Sequence, residues 1–417
     1  MRAHPALPST MLLGAALLLS SCQANVPSDL TASKDTPKQA ATLRGERPKA
    51  RFDRRLLKPI DRQDLFRGDD DAEAPEPPAA DPPAEEPVAP PPAEEPVAPP
   101  VEEPASSSRW LHTEGNRILT ADGQVWQGRG ANIHDTRSCN ACTGREDKDE
   151  VIRRIDELVD NWGANFLRLD LESYSSSSVL SDPSYLADIE AIVDHVGTKP
   201  GVYVMVSLWH DPSFTGLGWP GEGTSSVWEQ LAHTFADDAH VLFGLVNEPQ
   251  SNYDGALNAD VWKAMNDTVA SIRAVEDERG TPRHIVAVQG TGGWARHLGY
   301  YVDHPITAGG GENVAYEVHV YDPESAFNDM FVRPSETLPV IIGEFGPMHG
   351  MSMNDSARLM EIAEEHDIPY LAWTFHMRCP PNLLVDNSNA GCGIDMPLVP
   401  TDWGQLFKDR LARPWGS

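Results

Sequence analysis

The chain has 417 residues and a formal net charge of -30, with 63 acidic and 33 basic side chains. This balance argues against nucleic acid as a partner, because phosphate recognition requires clustered Lys and Arg. The length is sufficient for one large domain together with additional segments.

The amino-terminal residues follow the order of an export signal. A basic start precedes the apolar run 11–19, which is shorter than the roughly 20 residues of a membrane-spanning helix. The run ends in Leu-Ser-Ser-Cys at positions 19–22, which resembles a bacterial lipoprotein box. We therefore expect a signal peptide over residues 1–21, lipidation of Cys22 and a lipid anchor in a membrane. Gln23 favours the outer membrane or cell surface by analogy with lipoprotein sorting, and ordinary signal cleavage beside an incidental Cys is the alternative.

Residues 22–108 are predicted to form a disordered tether. Residues 23–67 are polar and lack sustained periodicity. Residues 69–104 are rich in Pro, Glu and Ala, and the nine-residue unit at 82–90 repeats at 91–99. Proline favours extended backbone and the carboxylates repel one another, so this tract is expected to be a semi-rigid spacer between membrane and folded domain.

Four cysteines remain beyond Cys22, and an even number in an exported chain indicates disulfides. Three pairings are possible, of which we prefer the two local ones, Cys139–Cys142 and Cys379–Cys392. A zinc site is the rival interpretation of Cys139 and Cys142, but the chain has no second CxxC pair. We expect no metal and no cofactor.

The folded domain is predicted to span residues 109–417 and to begin with a small β-hairpin at 118–126, turning at Asp122-Gly123. Eight strand-like runs follow, and most are continuously apolar, as expected for strands buried on both faces. They are Gly128–Ile133, Asn165–Leu171, Val202–Trp209, Val241–Val246, His284–Gln289, Ala315–Val320, Leu338–Gly343 and Tyr370–Phe375.

Amphipathic segments separate most of these runs. Eight βα units in about 300 residues predict a (β/α)8 TIM barrel, with functional groups at the carboxyl ends of the strands. An open, doubly wound sheet is the alternative, but Gly128-Arg129-Gly130 lacks the third glycine of a phosphate loop. The segments after the fifth and sixth runs are less regular, and the predicted helices are Asp149–Trp162, Tyr185–Val196, Val227–Phe235, Ala259–Val275 and Ala357–His366.

Two glutamates stand at strand ends that a barrel would bring to one pocket. The fourth run leads into Asn247-Glu248-Pro249, and the seventh leads into Glu344-Phe345-Gly346. Glycoside hydrolysis requires two carboxyl groups flanking the scissile bond, one ionised and one protonated. Either Glu alone could be a surface or loop-anchoring residue. Their combined placement on the fourth and seventh of eight strands predicts a nucleophile, Glu344, and an acid/base, Glu248.

These strand ends resemble glycoside hydrolase family 5, the cellulase-like branch of its clan, over roughly residues 110–414. The resemblance implies a role at the reacting sugar for side chains on the neighbouring strand ends. Arg168 matches the arginine that bonds the nucleophile, and Asn247 matches the residue that binds the sugar 2-OH. The remaining matches are His210 of the sugar site, His319 and Tyr321 near the carboxylates, and Trp373 as the aromatic floor.

Other residues are candidates for the cleft by their position near strand ends or in loops. Exposed aromatic side chains suit sugar stacking, and the possible subsites are Trp209, Trp219, Trp294 and His376. Asn132 and His134 follow the first strand and are polar at the same end of the barrel. The two cysteine-containing loops depart from the plainest cellulases, so the substrate is less determined than the chemistry.

The resulting hypothesis is a retaining endo-β-1,4-glucanase that acts on polysaccharide as a monomer. A β-mannanase or other β-glycanase of the same family is the rival, because the strand-end residues are shared across those specificities. A non-catalytic, surface-displayed carbohydrate-binding lipoprotein is the alternative from another class, although such a binder usually loses one of the two glutamates. A zinc or redox lipoprotein that uses Cys139 and Cys142 is a third.

Overall fold

The computed structural model describes residues 109–137, 148–172, 178–208, 218–249, 252–386 and 394–417. The predicted signal peptide, Cys22 and the Pro/Glu-rich tether lie outside these ranges. Within them, none of the helices combines the length and the apolar character needed to cross a membrane. Cys379 forms a disulfide, but Cys139, Cys142 and Cys392 lie outside the described residues, so the pairing stays a prediction.

Eight parallel strands close into a barrel in sequence order, with the last strand paired to the first. The predicted (β/α)8 barrel is therefore confirmed, and the open, doubly wound sheet is wrong. A short antiparallel pair, β1 (His112–Glu114) and β2 (Arg117–Leu119), precedes the barrel. The barrel strands are β3 (Arg129–His134), β4 (Phe166–Leu171), β5 (Tyr203–Leu208), β6 (Val241–Gly244), β7 (Val286–Gln289), β8 (Val314–Val320), β9 (Val340–Phe345) and β10 (Tyr370–Ala372).

Helices cover the outside of this barrel, where their apolar faces pack on the outward side chains of the strands. All five predicted helices are present with shifted ends. The helices are α1 (Lys148–Asp156), α2 (Pro183–Gly197), α3 (Glu222–Thr234), α4 (Asn258–Arg279), α5 (Gly299–Asp303), α6 (Met353–Glu365) and α7 (Asp402–Leu411). The prediction ran α1 through to Trp162, whereas the structure turns from α-helix to a π-helical stretch at Glu157–Asn161.

The sequence pattern missed two helices, α5 and α7. α5 is only five residues long, too short to give a clear sequence pattern. α7 follows a long loop, so the sequence pattern did not mark where this helix begins. Thr401 caps α7 by accepting a hydrogen bond from the backbone N–H of Gly404, and Trp403 and Phe407 lie buried on its inner face. The irregular segments expected after the fifth and sixth strands are confirmed. They contain short 3-10 and π-helical turns such as Asn328–Val332.

The amino-terminal hairpin region closes the bottom of the barrel. Leu111, Ile118 and Trp126 join a buried cluster with residues from the beginnings of the barrel strands, including Phe166 and Leu242. The predicted Asp122-Gly123 turn is present, but it carries a single bridge between Leu119 and Val125 rather than a ladder. The regular hairpin lies earlier, between β1 and β2. This buried cluster, called the apolar plug below, fills the amino-terminal end of the barrel. The polar side chains of the interior lie at the opposite end.

A buried ion pair fastens the last strand to the surrounding helices. Glu364 of α6 is 3% exposed and accepts hydrogen bonds from the Arg410 guanidinium of α7 and from the Tyr370 hydroxyl of β10, the latter at 2.7 Å. Arg129 of β3 lies 3.5 Å away, and the N–H of Gly416 donates to the same carboxylate at 2.7 Å. The carboxylate of Glu364 thus connects β3, β10 and the carboxyl-terminal residues.

We expect Glu364→Gln to destabilise the fold by on the order of 3 kcal/mol, because it leaves the buried Arg410 guanidinium without its counter-charge. The measurement is the free energy of unfolding from a denaturant titration of the full chain. Glu365→Gln, at the exposed neighbouring position, is the matched control and should change stability by less than about 0.5 kcal/mol. Equal stabilities of the two variants would contradict the role assigned to Glu364.

Candidate active site

Charged and polar side chains fill the carboxyl end of the barrel interior. A TIM barrel interior usually consists of apolar layers, and the lower layer here follows that rule. The upper layer instead contains fully buried polar groups contributed by six strands, namely Asn132, Arg168, Asp170, Ser207, Gln289, Glu317, His319 and Glu344. Buried charges are costly unless they are paired, so the pairing of these groups defines the site.

Glu344 points into the barrel because of a bulge in β9. Val318 pairs with Ile342, whereas His319 pairs with Glu344, so Gly343 is an extra residue between two registers. Without this shift, Glu344 would follow the outward direction of its neighbour Ile342 two positions away, since side chains alternate along a strand. A side chain at Gly343 would displace Glu317, because its Cβ would lie 2.0 Å from Glu317 Oε1. The predicted strand ended at Gly343, and this end was wrong: β9 continues through Phe345.

Glu248 is held in an unusual backbone conformation just beyond β6. Its φ is +54°, in the left-handed region that non-glycine residues rarely adopt. Its backbone N–H donates to the Gln289 side-chain oxygen at 2.5 Å, which secures this turn to the next strand. Strained backbone of this kind is retained where surrounding contacts fix it, often at functional sites. The turn brings the Glu248 carboxylate over the end of the barrel with 14% of its side chain exposed.

Arg168 of β4 is the central cation of the site. Its Nη1 donates to Glu344 Oε1 at 2.9 Å and to Asn132 Oδ1 at 2.8 Å, and its Nη2 donates to Asn247 Oδ1 at 2.8 Å. Asp170 lies 2.8 Å from Nη1, and Glu317 lies 3.2 Å from Nε. Burial acts to lower the pKa of Arg168, but these carboxylates raise it above its ordinary value. The guanidinium is therefore a permanent charge that fixes one oxygen of Glu344.

His319 and Tyr321 complete the contacts of the two glutamates. The Tyr321 hydroxyl donates to Glu344 Oε2 at 2.9 Å. His319 Nδ1 lies 2.9 Å from Glu248 Oε1 and 3.4 Å from Glu344 Oε2, so the ring stands between both carboxylates. Burial acts to lower the pKa of His319, but the charge of Glu344 and the hydrogen bonds with Glu248 and Glu317 raise it to about 10. The ring is an imidazolium at neutral pH.

One oxygen of Glu248, one of Glu344 and a ring nitrogen of His319 all lie within 4.8 Å of one another. Burial, with the nearby charge of Glu248, raises the pKa of Glu344 to about 7 against the opposing charges of His319 and Arg168. Arg168 and Tyr321 both donate to Glu344 and favour its charged form.

The same three residues have the spacing of a possible metal site among the described residues. The surrounding charges oppose that use. The guanidinium of Arg168 already occupies Glu344 at 2.9 Å, and the imidazolium of His319 has no lone pair to offer a metal ion. The set is better suited to moving a proton and holding one negative charge.

The structure brings together Arg168, Asn247, His319 and Tyr321 around the two glutamates. Trp373, directly after β10, is 1% exposed and belongs to a small cluster with Tyr321 and Cys379. Trp373 therefore lies beside the site, and its stacking on a sugar stays a prediction. The peptide bond between Trp373 and Thr374 is cis.

The remaining candidates separate into three groups. Trp209 and His210 lie outside the described residues. Trp219 is partly buried and packs against the main hydrophobic core. His376 is 1% exposed and contacts His134 edge-on, with a ring-centroid separation of 5.3 Å. A contact of His376 with a sugar stays a prediction, as it does for the equally buried Trp373.

Trp294 lies close in the chain fold to the turn at Glu248, through a backbone contact with Pro249. Its backbone N–H donates to the carbonyl of Pro249 at 3.0 Å, and the N–H of Gly293 donates to the carbonyl of Asn252 at 3.1 Å. Asn252 is itself buried, and its amide donates to the carbonyl of Thr291 at 2.8 Å. The loops after β6 and β7 are therefore tied together, and Trp294, which is partly exposed, is bonded through its backbone to the residue that follows Glu248.

Sequence reasoning overlooked Asp170, Gln289 and Glu317. Asp170 and Glu317 occur inside apolar strands, two residues from Arg168 and His319 and therefore on the same face. Charged residues at alternate positions of a buried strand were the available signal. Burial raises the pKa of Asp170 well above its ordinary range against the charge of Arg168. Burial acts in the same direction on Glu317, but Arg168 and His319 lower its pKa.

Comparisons with known proteins agree with this geometry. A family model for Cellulase (glycosyl hydrolase family 5) matches residues 119–378. Endoglucanase MaCel5A of Microbulbifer sp. (strain ALW1) is 23% identical over 295 residues, which cover 66% of this chain and 52% of that protein. Beta-mannanase/endoglucanase A of Caldicellulosiruptor saccharolyticus is 24% identical over 284 residues, which cover 64% of this chain and 19% of that protein. The chain spans about half the length of MaCel5A and 63% of two Ruminococcus albus endoglucanases.

Solved structures show the same fold. The catalytic domain of Thermobifida fusca endoglucanase Cel5A superposes with a TM-score of 0.58 at 20% identity, covering 73% of this chain and 98% of that one. A β-mannanase from Thermomonospora fusca gives 0.55 at 17% identity, covering 74% and 95%. Because the family model covers more than half of the 417 residues, the chain belongs to glycosyl hydrolase family 5, the cellulase family.

Proposed function

We propose that this protein is a retaining endo-β-1,4-glucanase, with Glu344 as nucleophile and Glu248 as acid/base. The observation that carries the proposal is the approach of the two carboxylates on β6 and β9, whose oxygens lie within 4.8 Å. Retaining glycosidases place their carboxyl groups about 5–5.5 Å apart, whereas inverting enzymes need about 6.5–9.5 Å to admit a water molecule. The shorter separation favours a covalent glycosyl-enzyme.

In the first step, Glu344 attacks the anomeric carbon while the bond to the departing sugar oxygen breaks. Glu248 gives its proton to that oxygen, so the leaving group departs as an alcohol. The Arg168 guanidinium and the Tyr321 hydroxyl hold one oxygen each of Glu344. Both contacts keep the nucleophile charged and aligned before substrate arrives.

In the second step, Glu248 is a carboxylate and takes a proton from water. The water oxygen bonds to the anomeric carbon as the bond to Glu344 breaks, so two inversions give retained configuration. His319 lies between the glutamates and carries a positive charge. It balances the negative charge that moves from Glu344 to Glu248 as the covalent intermediate forms.

The supporting residues extend this proposal to the sugar. Asn247 already bonds Arg168 through its oxygen, which leaves its amide N–H groups to donate to a sugar 2-OH. We propose Trp373, which packs beside Tyr321, as the aromatic floor under the reacting pyranose on sequence grounds. We propose His210 as a further sugar contact on sequence grounds.

A β-mannanase is the second candidate. The name of one relative, beta-mannanase/endoglucanase A, joins both activities. The residues at the strand ends act on the anomeric carbon and its immediate oxygens, so they do not by themselves distinguish glucose from mannose.

A polysaccharide panel tests the function directly. We expect shortened products from carboxymethylcellulose and β-1,4-glucan at rates at least about tenfold above those from β-mannan, with the β-anomer appearing first in NMR spectra of the reaction. Faster cleavage of mannan would support the second candidate. First appearance of the α-anomer would overturn the retaining mechanism, and inactivity on every glycan would favour a carbohydrate-binding protein.

Substitution of each glutamate separates their roles. Glu344→Gln should lower kcat on all substrates by at least about 10³-fold, because no covalent intermediate can form. Glu248→Gln should lose similar activity on polysaccharide. On a dinitrophenyl cellobioside, whose leaving group needs no proton, Glu248→Gln should instead release a burst of dinitrophenol before slow turnover.

The matched control is Glu336→Gln, an exposed carboxylate away from the barrel interior, which should retain wild-type rates. Loss of the burst in Glu248→Gln, together with a burst in Glu344→Gln, would exchange the assigned roles. Wild-type rates in both variants would refute catalysis by this pair.

We also propose that the protein is exported and anchored by a lipid on Cys22, with the Pro/Glu-rich tract as a spacer. The lipoprotein-like box and the tandem nine-residue repeat support this proposal. We expect Cys22→Ser to move the protein from the membrane fraction to the soluble fraction, as followed by immunoblotting. An unchanged membrane fraction would contradict lipid anchoring.

A further inference from the structure

Glu317 is a buried carboxylate for which the catalytic steps above have no direct use. It lies on β8, two residues before His319, and is 0% exposed. Its contacts reach two residues of the site without reaching the two glutamates. Burying a charged carboxylate costs free energy unless an opposite charge lies close to it. Glu317 is therefore expected to contact a cation in the barrel interior.

Two cations share the same oxygen of Glu317. Oε1 lies 3.2 Å from Arg168 Nε and 3.1 Å from His319 Nε2. Gln289 also hydrogen bonds this carboxylate and contributes to its lowered pKa. Glu317 is thus negatively charged and stands behind both groups that contact Glu344.

The ring of His319 has a carboxylate at each nitrogen. Nε2 faces Glu317, and Nδ1 faces Glu248 at 2.9 Å and Glu344 at 3.4 Å. A neutral imidazole has only one N–H, so when the carboxylates on both sides are charged, one of these contacts would oppose two lone pairs. The doubly protonated ring donates on both sides. The amide nitrogen of Gln289 also lies near the ring, 3.2 Å from Nε2. Because this amide is neutral, it influences the protonation of Nε2 less than the charged Glu317 does.

Other charges around the ring come from several elements. Glu248 follows β6, β9 contributes Glu344, and β4 contributes Arg168. Asp170 of β4 lies 2.8 Å from Arg168, and burial raises the pKa of this carboxyl well above its ordinary range. The Tyr321 hydroxyl of the β8 end is neutral. Among the described residues, Glu317 is the carboxylate that faces Nε2, and the catalytic pair is on the opposite side of the ring.

We propose that Glu317 is a positioning residue that keeps His319 doubly protonated throughout the catalytic cycle. The charge on Glu248 and Glu344 changes as the covalent intermediate forms and breaks, and this part of the inference rests on the proposed function. The charge on Glu317 does not change, so the Nε2 proton stays in place. His319 then always donates through Nδ1 to the carboxylate that is negative at that step. Glu317 also fills the space beneath Gly343, where it supports the bulge that aims Glu344.

Nitrogen NMR of the histidine-labelled full chain tests the protonation state directly. The His319 signals, assigned by their loss in His319→Asn, should report two N–H groups from pH 5 to pH 8 in the wild type. In Glu317→Gln, the ring should titrate within that range, because the charge that holds the second proton is gone. Glu317→Asp keeps a charge and should restore the doubly protonated ring in part.

Kinetics supplies a second readout. On polysaccharide, Glu317→Gln should lower kcat by about 10- to 100-fold with little change in KM, since preorganised charge acts on the transition state. Its rate should also fall with rising pH at the point where its His319 titrates, a limb that Glu317→Asp should shift towards higher pH. Glu336→Gln is the control and should keep the wild-type profile.

A wild-type His319 that shows one N–H at pH 7 would overturn the inference, even if no Glu317 variant folds. A doubly protonated ring in Glu317→Gln up to pH 8 would overturn it as well. Failure of the proposed function has a different signature: the wild type would cleave no glycan while its His319 remained doubly protonated and dependent on Glu317.

Discussion

The buried guanidinium of Arg168 is the interaction on which the site depends. An isolated charge in a protein interior costs several kcal/mol, and this one is fully enclosed. Glu317 and Glu344 offset that cost as counter-charges, and Asp170 lies 2.8 Å from the guanidinium. The carboxylates depend on Arg168 in turn, because each buried carboxylate would also be unfavourable without a counter-charge. The charged form of Glu344 is therefore favoured by its contacts with Arg168 and Tyr321, against the cost of its burial.

Backbone geometry allows the network to form. A regular β9 would alternate its side chains evenly, and the extra residue at Gly343 resets that alternation so that Glu344 turns inward. Glu248 reaches the same space from the other side through a left-handed turn secured by Gln289. These two departures from regular structure bring the carboxylates to the separation that suits a covalent mechanism. The apolar plug at the opposite end allows the polar layer to occupy one mouth of the barrel.

In the proposed mechanism, the strand ends hold the groups that act on the anomeric carbon, and their positions follow from barrel register. The loops after β6 and β7 are tied together around Asn252 and Trp294. Proteins named as an endoglucanase and a β-mannanase share the fold of this chain, and one fold can carry different specificities.

The sequence by itself determined the eight strands, their order and the two glutamates, because buried parallel strands appear as apolar runs and catalytic groups follow their carboxyl ends. It also indicated Arg168, His319 and Tyr321 through the family resemblance. The tertiary structure alone decided the partners of those groups. Asp170 and Glu317 look like interruptions of apolar strands until the barrel closes and turns them towards Arg168. A strand pattern gives the spacing along one chain segment, whereas charge pairing depends on distances between segments, and these are fixed only by closure and register.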